Sequence, residues 1–441
     1  LLIPASFLDI ASRFDARTEK ILGVPCTFLH REDSPTASVV VLFRDGVAYE
    51  REDQWGISHF IEHILFRGTE RFPTLYQISR EAEGMGGRIS AFSTRDMTSY
   101  WIKTPPGCHD RAFGLLEELL CRPALRGEFI GKEREIIVQE RHRERSNPSL
   151  YTSLLMEEIL FSPHPLSRHP IGIDSVINTL DACILQSHLQ GCYHRNNVVV
   201  GAAGNLGEGF RDRLERFIAA LPPGVPPGRA DFACRNDLSG SSRFHFPSPH
   251  QGQVFLSVGW RIALESPGDL YPWRALNALL GSGYTSLLNR VLREEENLTY
   301  VCIPQMNFYG DEGVYKVNMA LDPANTEKAV DLIQGIVDRV ARGDLQEELL
   351  KEAVIKHASH LLFRLEDSLE TAKILTQHLQ RDEAGISMKE YLERIGRAGV
   401  EEVSALAARW LTAGSRKLLL MTGSKEALSP FPGIRVMEET Q

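Results

Sequence analysis

The segment "HFIEHILFRGTE", residues 59–70, sets two histidines four apart with a glutamate directly before the second. On an α-helix His59 and His63 stand one turn apart on one face, and Glu62 flanks that face. Two imidazoles so placed can hold one zinc ion, and a carboxylate beside them can take a proton from water. The same letters also fit a plain amphipathic helix, with Phe60, Ile64 and Leu65 as the buried stripe and the histidines at its border. The segment alone leaves both readings open. A zinc site needs a third protein ligand.

The helical stretch "EFIGKEREIIVQERHRERS", residues 128–146, offers Glu133, Glu135, Glu140 and Glu144. Glu133 and Glu140 lie two turns apart on one face, close to Ile136 and Ile137. Carboxylates that border an apolar stripe usually sit in solvent, and spacing does not choose among the four.

A chain of 441 residues exceeds the size of a single core and predicts two domains. The net charge of -9, with no long run of one sign, argues against a nucleic-acid partner. Seven scattered cysteines without a C-x-x-C pair predict free thiols in a reducing compartment. No apolar run reaches the ~20 residues of a membrane span. The opening "LLIPASFLDIASRFDARTEK" lacks the basic segment and cleavage site of a signal peptide, so a cytoplasmic location is expected. The chain does not begin with Met, and a removed leader stays open.

Two halves share one plan. In the first, "CTFLH" and "ASVVVLFRDG" read as a strand pair, followed by the helical "GISHFIEHILFRG". The stretch "GGRISAFSTRDMTSYWIKT" reads as a second strand pair, two helical stretches follow it, and "NNVVVGAAGN" reads as a buried closing strand. The Pro/Gly-dense "LPPGVPPGRADF" reads as a linker. The plan then recurs, with a strand at "QVFLSVGW", one helix over "YPWRALNALLGSGYTSLLNRVLRE", strands at "LTYVCIPQMNFYG" and "GVYKVNMAL", long helices, and a late strand at "KLLLMTG". The expectation is an α+β fold of two similar domains, 1–220 and 246–441, joined by a linker over 221–245. Each domain is a mainly antiparallel sheet with helices packed on one side.

Taken together, "GISHFIEHILFRGT", "GGRISAFSTRDMTSY", "KEREIIVQE" and "LREEENLTY" resemble the inverted-motif zinc peptidases of the M16 (pitrilysin/insulysin) family. Within it, the chain resembles the short-chain branch that includes mitochondrial processing peptidase and its bacterial relatives. The resemblance implies one Zn2+ per chain, held by His59, His63 and Glu140, with Glu62 as general base and Glu133 orienting a ligand histidine. It also implies that Arg293 and Tyr300, from the second half, bind the substrate backbone and steady the oxyanion. Ser90, Ala91, Phe92 and Ser93 fall on the family's substrate-binding strand, which takes a peptide as an added strand.

Two positions depart from the family's pattern: Ser90 stands where an asparagine is usual, and Leu287 where an arginine is frequent. The implied activity is endopeptidase cleavage of unfolded peptides or oligopeptides. Long family members enclose a chamber with four such domains, whereas this chain resembles two. A homodimer is therefore expected, with a heterodimer with a related subunit as the variant. The alternatives are a non-catalytic structural or partner subunit, or a dedicated maturase of one peptide precursor. Subunits of the non-catalytic kind usually lose the H-x-x-E-H residues, which this chain keeps.

Overall fold

The computed structural model of the chain describes residues 1–225, 242–249, 252–381 and 385–437. Runs of β-branched and small apolar residues make the first sheet: β1 (Arg17–Ile21), β2 (Val24–His30), β3 (Ala37–Phe43), β4 (Arg88–Ser93), β5 (Thr98–Thr104) and β6 (Val198–Gly204). The second sheet holds β7 (Ser242–Pro247), β8 (Val254–Ala263), β9 (Thr299–Tyr309), β10 (Glu312–Leu321), β11 (Lys417–Thr422) and β12 (Arg435–Val436).

The spatial orders are β1-β2-β6-β3-β5-β4 and β12-β7-β11-β8-β10-β9. Read from β4 and from β9 inward, the two sheets repeat one succession of five strands. Both contain a parallel pair at the same place, β2 with β6 and β7 with β11, and three antiparallel pairs between there and the β4 or β9 edge. They differ at the far edge: β1 comes from the preceding hairpin and pairs antiparallel, whereas β12 comes from the chain's far end and pairs parallel. The duplication expected from the order of elements is thus a duplication of topology.

Six helices matter below: α1 (Ile57–Leu65), α2 (Gly127–Arg145), α3 (Pro148–Phe161), α4 (Leu270–Gly281), α5 (Glu347–Arg364) and α6 (Ser368–Arg381). Each half packs its own helices on one face of its sheet. The opposite face takes a helix from the other half: α3 lies on β8, β10 and β11, while α6 lies on β2, β3 and β6. Side-chain alternation serves both faces, because β11 sends Leu418 and Leu420 into the second half's own core and Leu419 and Met421 toward α3. Glycines permit the close approach. A Cβ on Gly201 would meet the Thr376 hydroxyl of α6 at 1.9 Å, and one on Gly259 would meet Met156 Sδ of α3 at 2.7 Å.

The exchanged α3 also carries a buried polar hub. Glu157 accepts from Arg95 Nε at 2.8 Å in its own half, and from Lys316 Nζ at 2.6 Å, Tyr309 Oη at 2.9 Å and Asn307 Nδ2 at 3.0 Å in the other. Burial disfavours its charge, yet Arg95 and Lys316 hold its pKa down at about 2.

Three details differ from expectation. The segments read as a strand pair, β2 and β3, do not pair with each other, because β6 lies between them. Its sequence VVVGAAG is buried at every position, and such a strand belongs in the middle of a sheet. The single helix expected over 271–294 breaks after Gly281; Gly283 adopts φ +75°, and the chain resumes as a short helix Leu287–Asn289 and wide turns over Arg290–Glu295. Of the expected linker 221–245, residues 226–241 lie outside the described residues and 242–245 form part of β7. Among the described residues no helix is long and apolar enough to cross a membrane. The six described cysteines are free thiols.

Candidate active site

Helix α1 follows from its apolar period. Ile57, Phe60, Ile61, Ile64 and Leu65 are all buried, which leaves His59, Glu62 and His63 on the remaining face. Its first turn would leave backbone N–H groups without acceptors. Buried Glu50 supplies them, accepting from Gly56 N at 2.7 Å and Ser58 N at 2.9 Å. Asp45 accepts from the Ser58 hydroxyl at 2.9 Å and from His188 Nε2 at 2.8 Å, and so braces the same turn.

Helix α2 packs against α1 and brings Glu140 to the two histidines. Glu140 Oε2 lies 3.6 Å from His59 Nε2 and 3.4 Å from His63 Nε2. One turn-pair back along α2, buried Glu133 receives His63 Nδ1 at 2.9 Å and the Nε of Arg67. Of the other two candidate glutamates, Glu135 is exposed and Glu144 faces His169 Nε2 at 3.4 Å. Ser93 of β4 reaches in from the sheet: its hydroxyl donates to Glu62 Oε2 at 2.7 Å and lies 3.1 Å from His59 Nδ1.

Charge follows this arrangement. Burial disfavours an ionised His59, but Glu140 and Glu62 beside it outweigh that and hold its pKa up at about 9. Glu62 is lowered despite its own burial, chiefly by His59 and the Ser93 hydrogen bond. The neighbouring His59 lowers Glu140 in turn.

The residues fit a zinc ion. Two imidazole nitrogens and a carboxylate oxygen are ordinary zinc ligands, and bonds of about 2.0–2.1 Å in a tetrahedron give ligand–ligand edges of about 3.3 Å. The 3.4 and 3.6 Å separations are of that order, and His59 Nε2 is buried without a hydrogen-bond partner. A second group, Asp45, His188 and Cys192, also has ligating atoms within 4.8 Å of one another. There the Asp45–His188 separation of 2.8 Å is that of a closed hydrogen bond, which suits a brace under α1.

Arg293 and Tyr300 lie together in the second half. The Arg293 guanidinium sits over the rings of Tyr284 at 4.6 Å and Tyr300 at 5.2 Å and pairs with Glu294. Tyr300 is 83% exposed, and among the described residues neither side chain bonds to His59, Glu62, His63 or Glu140.

The model of the insulinase, peptidase family M16, matches residues 27–172, and that of the peptidase M16 inactive domain matches residues 181–356. The chain belongs to the M16 peptidase family. An uncharacterized zinc protease of Mycobacterium tuberculosis is 25% identical over 386 residues, covering 86% of each chain. The uncharacterized zinc protease YmxG of Bacillus subtilis is 20% identical over 346 residues, covering 76% of this chain and 82% of its own. In fold, a protease from Helicobacter pylori superposes with a TM-score of 0.83 at 19% identity, covering 92% of this chain and 99% of its own.

Within this M16 chain, alternation along β4 divides the expected substrate strand. Ile89 and Ala91 pack into the core beneath α1, and Ser93 follows on that face. Phe92 points the other way, its ring under Lys373 of α6, and Ser90 shares that side. Leu287 is buried in the second half's core. Sequence reading had no role for Glu50, Asp45 or Arg67. Arg67 stands four residues after His63, a helical spacing that marked it as a neighbour of whatever His63 meets.

Proposed function

We propose that this chain is a zinc-dependent endopeptidase that cleaves unfolded peptides. The observation that supports it most is the convergence of His59 Nε2, His63 Nε2 and Glu140 Oε2, with the Glu62 carboxylate alongside. His59, His63 and Glu140 would hold the ion, and Glu133 would orient His63 through Nδ1. Bound zinc supplies a Lewis acid for the scissile carbonyl and brings the pKa of water down to roughly 7. Glu62, kept ionised, accepts a proton from the attacking water and returns it to the leaving amine.

Strand β4 is the outer strand of the first sheet, so its free edge can take a peptide as an additional strand beside Ser90, Ala91, Phe92 and Ser93. Arg293 and Tyr300 would reach such a peptide from a second copy of the chain, since within one chain they bond elsewhere. A symmetric dimer then holds two equivalent sites.

Two measurements test the reading. Purified protein should carry about one zinc per chain and cleave a mixed peptide library until a chelator is added. Glu62→Gln should keep the zinc and lose about 10²- to 10⁴-fold in rate; wild-type rates from that variant would remove Glu62 as base. For the dimer, Glu62→Gln and Tyr300→Phe chains, each nearly inactive alone, should recover part of the activity after subunit exchange. Exchange without recovery would refute the shared site.

A further inference from the structure

The Ser93 hydroxyl sits between the two groups on which the proposed chemistry turns. Its one proton can serve one neighbour only. The 2.7 Å contact to Glu62 Oε2 is the distance of a hydroxyl donating to a carboxylate, and an ionised carboxylate can only accept. The Ser93 oxygen is therefore left as an acceptor toward His59 Nδ1 at 3.1 Å. That requires a proton on Nδ1 and makes Nε2, which faces Glu140 and is buried without a hydrogen-bond partner, the nitrogen that would ligate a metal. Glu133 does the corresponding service for His63, accepting from Nδ1 and turning Nε2 to the same point.

We propose that Ser93 is a positioning residue that fixes the His59 tautomer for metal binding and aims the Glu62 carboxylate, rather than a group that binds the substrate backbone through its side chain. Its place on the fold favours this. β4 pairs with β5 in register, Ser93 opposite Thr98, and the Ile89–Ala91–Ser93 face is turned to α1, so the hydroxyl is held by the sheet and not by a mobile side chain. The substrate edge of β4 and the orientation of the base are thereby parts of one rigid strand. The inference rests on the zinc-peptidase reading for its kinetic part, and on the His59 contact alone for its metal part.

The test uses the full chain with Ser93→Ala, Ser93→Thr and Ser93→Val. Zinc affinity is measured by competition with a chromogenic chelator, and kinetics at saturating zinc with a quenched-fluorescent peptide that wild type cuts and Glu62→Gln does not. Ser93→Ala is expected to weaken zinc binding by about 10- to 100-fold, the usual effect of losing a partner of a metal ligand. It should lower kcat by a similar factor with KM within about twofold, the signature of an interaction used in the transition state. Ser93→Thr, which keeps the hydroxyl, should restore both, while Ser93→Val, of the same shape as threonine, should not. A raised KM with unchanged kcat would overturn the proposal in favour of substrate binding. Wild-type zinc affinity and kcat in Ser93→Ala would overturn it outright. Should no peptide be cut in a Glu62-dependent way, the peptidase reading fails, and the chelator competition still decides the role of Ser93 at His59.

Discussion

The two halves share a topology but surround the histidines of their helices differently. In the first, α1 and α2 surround histidines with carboxylates, and His59 is held up at about 9. In the second, α4 is filled by Trp273, Leu276 and Leu279, and the half-buried histidines His357 of α5 and His378 of α6 face Arg274 and the Tyr391 ring. Burial, aided by Arg274, pushes both of these down to about 4. Histidines on non-equivalent helices of the two halves thus take opposite characters, and their neighbours decide which. Among the described residues, only the first half brings a glutamate and two imidazoles together as a candidate metal group.

The sharpest way to break that contrast is to remove the converging carboxylate. Glu140→Gln should abolish stoichiometric zinc, whereas Glu133→Gln should weaken affinity by only about 10- to 100-fold. Metal analysis after dialysis separates the two. Equal zinc loss from exposed Glu135→Gln would mean that α2 presents a different face.

Next in size is the bond between the halves. Glu157→Gln leaves Arg95 and Lys316 buried with no matching charge and should cost about 3–5 kcal/mol in urea unfolding at pH 7. Because the Glu157 pKa is depressed from about 4.5 to about 2, its contribution is complete above pH 4.5 and fades as pH falls toward 2. The gap between wild type and variant should close over that window; a constant gap would show that Glu157 is held by shape and not by charge.

The smallest effect belongs to the second half's histidines. With a folded pKa of about 4, below the value of about 6.5 in an unfolded chain, His357 costs no stability above pH 6.5. As pH falls from 6.5 to 4 the unfolded chain takes up a proton that the folded one refuses, and stability drops. His357→Phe should flatten this slope, by at most about 3 kcal/mol between pH 7 and 4. An unchanged slope would place the acid sensitivity elsewhere.

What sequence could show depended on range. The apolar period of α1, the β4–β5 hairpin and the repeat of elements are local, and each was legible. That Glu133 and Glu140 share a face was legible too, but not which of the four glutamates meets the histidines, since that depends on how α2 crosses α1. The insertion of β6 between β2 and β3, and the exchange of α3 and α6, are pairings between distant residues, which no local pattern announces. Ser93 lay between the two cases. Strand alternation put it on one face with Ile89 and Ala91, but only the packing of β4 under α1 gave it Glu62 and His59 as partners.

The exchange of helices has a consequence for birth on the ribosome. The six strands of the first sheet are complete once Gly204 has been made, yet Val40, Leu42 and Val199 on its second face wait for α6. At about 5–20 residues per second, the interval until Arg381 emerges is roughly 10–35 s. Throughout it the nascent first half presents an apolar sheet face to solvent or to a chaperone, and its glycine at position 201 keeps a slot open for a helix that has not yet been translated.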